Sequence, residues 1–250
     1  MKKYLGVIGA VIVGLIGAQL GGLFTKTAIF EGQKALYTEE KLEADLANAL
    51  PKTMAAMKAA FPDDYDAMLG DILDGVKSSS NTDQITKRSA AAAAAVRRKH
   101  SAAIAKAPST DITALIDGNI RLIEEVRAGE GDELCAAVAA QGPIAVTAKG
   151  ITNYNATIDE TGAIMFRALR AGIDTPVERT PVTDADWAAI VGALQANGMT
   201  DEELAVVGAA AQDDPRYCRL ILDFVKEVRN TPGDAGDRAR AAFAEEAAKG

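Results

Sequence analysis

The chain has 250 residues, 48% of them hydrophobic, 25% charged and 5% aromatic, with a formal net charge of −8. That acidic balance excludes a nucleic-acid binder working by clustered positive charge, and it opposes adhesion to an anionic lipid surface. The single histidine, His100, stands in a basic run, which argues against histidine-based triads and histidine metal sites.

The first element is the apolar run 5–24, which holds no charge and one amide, Gln19. As a helix it spans roughly 30 Å, the thickness of a bilayer's hydrocarbon core. Gly6, Ala10, Gly14, Ala18 and Gly22 recur at every fourth position, and Gly17 and Gly21 lie alongside. Small residues at that period line one helix face and let a second helix approach closely. The α-amine, Lys2 and Lys3 precede the run, whereas Lys26 and Glu31 follow it, which predicts an N-in, C-out orientation. A cleaved signal peptide is the alternative. The run is longer than the roughly 7–15 residues of an ordinary signal core, and no two of its small residues lie two apart. A retained signal anchor is the expectation.

Residues 25–50 read as a helix, with Gly32 a flexible point. Leu42, Leu46, Leu50, Met54, Met57 and Phe61 form one stripe at helical spacing, interrupted by Pro51, which starts a new helix. Pro62 opens another, with acids in its first turn, which ends near Gly75 before a polar turn at 78–81. The next helix, 82–107, includes alanines at 90–95 and stops at Pro108. It carries Lys87, Arg88, Arg97, Arg98, Lys99 and Lys106 against Asp83, whereas the preceding helix has five aspartates. These blocks read first as solvated faces complementary across a hairpin, where exposed pairs contribute about 0–1 kcal/mol each. The alternative makes Arg97, Arg98 and Lys99 a dock for an acidic partner.

Beyond Pro108, Ser109 or Thr110 caps a helix with Ile112, Leu115, Ile116, Ile120, Ile123 and Val126 on its apolar face. A short helix, 132–140, ends at Gly142-Pro143. Ile144, Val146, Ile151 and Tyr154 leave 144–160 open to short strands. Helices are expected at 158–171, from Thr183 through Leu194, after the Thr200–Glu203 capping box, and over 215–228. Residues 233–250 are polar and alanine-rich, a frayed helix.

Cys135 and Cys218 fall on separate helices, and in an oxidising compartment an isolated pair is expected to be bridged. The sequence contains no GxSxG, P-loop or GxGxxG motif, and Asp64-Tyr65-Asp66 lacks the later ligands of an EF-hand. Tyr154 and Trp187 are expected in core or turn roles rather than in a pocket.

The expected architecture is all-α: a transmembrane helix (1–24), a membrane-proximal helical hairpin (25–107), a helical bundle (108–232) and a polar tail (233–250). The expected protein is a non-catalytic accessory or scaffold subunit of a membrane complex, without a cofactor. It sits in a bacterial inner membrane with its body in the periplasm, and its membrane helix pairs with itself or with a larger complex. A soluble periplasmic binding module released by cleavage is the alternative, followed by a carboxylate-dependent enzyme.

Overall fold

The computed structural model describes residues 37–78 and 82–249. Gly6, Ala10, Gly14, Ala18 and Gly22, with the whole expected span 5–24, lie outside the described residues. Among the described residues no helix is long and apolar enough to cross a membrane.

The described chain is all-helical. Its elements are α1 (Glu39–Ala49), α2 (Pro51–Ala60), α3 (Pro62–Ser78), α4 (Thr82–Ile104), α5 (Ser109–Glu130), α6 (Asp132–Gln141), α7 (Ile144–Thr147), α8 (Asn155–Asp174), α9 (Asp184–Ala196), α10 (Asp201–Gly208), α11 (Tyr217–Asn230) and α12 (Gly233–Lys249).

The prolines explain the first two joints. Proline disfavours helical backbone at the residue before it. Leu50 and Phe61 accordingly leave the α region, at φ −137°, ψ 65° and φ −143°, ψ 68°. The stripe carries on through both bends, and Leu42, Leu46, Leu50, Met54, Met57 and Phe61 are all buried. The donors at the start of α2 are satisfied from far along the chain. Asp159 of α8 accepts from the backbone N–H of Thr53 at 2.8 Å and of Lys52 at 3.1 Å, while Thr53 Oγ1 donates to the Asp159 carbonyl.

Helix α8 organises the body, packing against α2, α4 and α5. Close crossings are bought by small residues. A Cβ at Gly172 of α8 would lie 1.8 Å from the Ala103 carbonyl oxygen of α4. A Cβ at Gly118 of α5 would lie 2.7 Å from Thr161 Oγ1 of α8.

Two expectations change. Residues 144–160 form no strand: Gly142 turns the chain at φ 74°, Pro143 starts the single turn α7, and α8 begins at Asn155. The β-branched Ile144 and Val146 imitated a strand pattern, but Val146 is buried in a helical core. On either side of Pro108, buried residues from Tyr37 to Ala248 belong to one hydrophobic cluster. Residues 233–249 are an ordered helix whose Ala239, Phe243, Ala244 and Ala247 are buried, and α12 packs back onto α4 and α5.

Candidate functional site

A groove of about 620 Å³ runs between α5 and α8 beside the first turn of α2. Its floor is made of small or apolar residues, including Ala114, Gly118, Ala156 and Ile164, and its rim carries Lys52, Asp117, Arg121 and Glu160. The rim charges are largely matched within the protein. Lys52 pairs with Glu160, and the Lys52 hydrogen bond holds that carboxyl below its usual range. Asp117 receives Arg229 through two bonds of 2.8 and 3.1 Å.

A second groove, of about 410 Å³, lies between α4, α12 and the non-helical strap 175–183. The strap is fastened by Arg179, whose side chain is 7% exposed. Its Nη1 donates to the carbonyls of Ala105 and Ala107 at 3.0 and 2.9 Å, satisfying groups just beyond the C-terminus of α4. Its Nε bonds Asp237 of α12 at 2.6 Å and its Nη2 bonds Ser109 Oγ at 2.8 Å. Burial pushes the Asp237 carboxyl up, and the bonds from Arg179 and Ser109 outweigh it, so the group stays below its usual range. Val177 N–H to the Lys106 carbonyl, 2.7 Å, completes the fastening.

The three basic residues read as a possible dock do not form one surface. Arg97 is 6% exposed, and desolvation, with Arg98 adding, pushes its guanidinium down to about 10. Lys99 Nζ lies 2.5 Å from Asp64 Oδ1, and His100 Nε2 lies 2.7 Å from the other oxygen of the same carboxylate. The His100 ring also stacks on Phe61 at 3.9 Å. Arg98 is exposed, and Arg88–Asp71 at 2.7 Å extends the hairpin clasp. Consecutive helical residues are about 100° apart, so three in a row cannot share a face.

Cys135 of α6 and Cys218 of α11 are bridged, with their Cα atoms 5.6 Å apart across 83 residues of sequence. Both are fully buried. Tyr154 and Trp187 are buried too, and Tyr154 Oη donates to Glu130 at 3.3 Å. Among the described residues no group of three His, Cys, Asp or Glu side chains is placed to hold a metal ion.

Asp159 and Arg179, the two long-range caps, carried no local signal in the sequence. An aspartate inside an amphipathic helix and an arginine in a proline-flanked strap look like ordinary surface residues until topology supplies their partners. No family model matches the chain, and neither a curated protein nor a solved structure matches it.

Proposed function

We propose that the protein is a single-pass, membrane-tethered helical scaffold whose body lies outside the cytoplasm and serves as a non-catalytic accessory subunit of a membrane complex. The observation that carries this reading is the buried Cys135–Cys218 bridge, because structural disulfides persist in oxidising compartments and are rare in the cytosol. The charge-poor run 5–24, with Lys2 and Lys3 before it, supports the tether and its N-in orientation. In this reading Gly6, Ala10, Gly14, Ala18 and Gly22 form the helix-packing face inside the membrane.

Detergent extraction of native membranes, followed by affinity purification, tests the assignment. The expected result is a membrane-bound chain that brings partner proteins or further copies of itself with it, and loses them when Gly14 and Ala18 are replaced by Leu. A chain recovered entirely from the soluble fraction, with its N-terminus near Ala28, overturns the tether in favour of a released binding module. Unchanged co-purification by the Gly14→Leu/Ala18→Leu variant overturns the packing face.

A further inference from the structure

The N-terminal end of α11 is held in place despite two local costs. Tyr217, the first helical residue, is fully buried, and among the described residues its hydroxyl finds no hydrogen-bond partner. Arg216 occupies the N-cap position and makes no side-chain capping bond to the helix. Asp214 offsets part of this by accepting from Arg216 N–H at 2.8 Å. The next residue after Tyr217 is Cys218, bonded to Cys135 of α6. Strained and unsatisfied groups persist where something else over-determines the structure. Here the covalent bond stands at the point where those costs gather.

We propose that α11 is a redox-conditional element, its first turns docking on α6 only when the Cys135–Cys218 bond has been made. Both cysteines are 0% exposed in the closed fold, so no thiolate or oxidant reaches either sulfur there. The bond therefore forms while the start of α11 stands away from α6. One cysteine thiolate attacks a disulfide-bearing oxidant and gives a mixed disulfide. The second thiolate then displaces the oxidant's sulfur, and the oxidant leaves as a dithiol carrying the two electrons and two protons that Cys135 and Cys218 give up. Closure buries the new bond and shields it from reductants. In a reducing compartment the same segment stays open. Use of this lock as a signal of arrival outside the cytoplasm rests on the location proposed above. The local lock does not.

Hydrogen exchange with mass spectrometry on the full-length protein in mild detergent tests the lock, comparing the oxidised chain with Cys135→Ala/Cys218→Ala. Peptides covering 209–222 are expected to lose protection about tenfold or more, while those of α2, α4 and α8 keep it. Equal protection in both proteins overturns the proposal, as does a uniform loss over every helix, including outright failure to fold. Adding Tyr217→Phe to the cysteine-free chain removes the unsatisfied hydroxyl and is expected to restore protection over 209–222. Failure to restore it also overturns the proposal. These results are independent of where the protein resides, so they stand apart from the fractionation of native membranes.

Discussion

Gly172 shows how much one missing Cβ decides. Its Cα faces the backbone of α4, and an added methyl would meet the Ala103 carbonyl oxygen at 1.8 Å, with Ala107 N at 3.1 Å. Backbone cannot swing aside as a flexible side chain does. Gly172→Ala should therefore force α8 and α4 apart and destabilise the protein by about 2–4 kcal/mol, read from denaturant midpoints at an unchanged slope. Gly118→Ala makes an informative contrast, because the group in its way is the Thr161 side chain, so its loss should be smaller. Equal losses at the two sites would contradict the close-crossing explanation. The sequence places the end of α8 at 171, just before Gly172. The helix in fact runs through it to Asp174, since its glycine serves the crossing and not a terminus. The basic run behaves in a related way. Arg97, Arg98 and Lys99 were adjacent in sequence, and helical geometry sends them to different environments.

At the scale of elements, two helix ends are completed by distant side chains, and both make predictions. Asp159→Ala removes the acceptor for two backbone N–H groups at the start of α2 and leaves donors at a buried joint, which should destabilise by about 2 kcal/mol. Asp159→Asn, keeping one oxygen, should lose less. If Asp159→Ala is neutral in equilibrium unfolding, the cap is ornamental. Arg179→Met takes this donor from the carbonyls beyond α4 and leaves the Asp237 carboxylate with Ser109 but without its buried arginine, and should destabilise by about 2–3 kcal/mol. Removing both charges with Arg179→Met/Asp237→Leu should recover part of that, and strict additivity in the double-mutant cycle would contradict the coupling. Most helices were legible beforehand because prolines, capping boxes and apolar periodicity are local signals. Thr200 with Glu203 forms the expected capping box, and Thr183 with Asp186 forms a second. The segment 144–160 stayed undecided because β-branched residues fill a helical turn there, a case in which local preference is outvoted by packing.

Over the whole molecule, several carboxylates are held below their ordinary range, and this fixes the direction of the pH response. Hydrogen bonds from Arg238, with further bonds from Thr183, hold Asp186 well down. The Arg216 side chain, aided by its backbone N–H, brings Asp214 down to about 2. The Thr200 backbone N–H and the Arg219 side chain lower Glu203. A group depressed in the folded state adds stability above its unfolded value and loses it as pH falls through the folded one. Tm should therefore fall between about pH 4 and about pH 2, and Arg238→Met should weaken that fall. A Tm that rises over the same interval would contradict the sign. Topology was the least legible level. The contacts that merge the hairpin with the rest, α8 on α2 and α12 on α4, join residues far apart in the chain, and periodicity contains no information about such pairs.

The proposed location and the bridge meet in one quantity, the intact mass of the protein extracted from native membranes under non-reducing conditions. The predicted result is a membrane-fraction chain that retains residues 1–24 and is lighter by the two hydrogens lost from Cys135 and Cys218. A soluble chain beginning near Ala28, or a membrane-bound chain with both thiols intact, would contradict it.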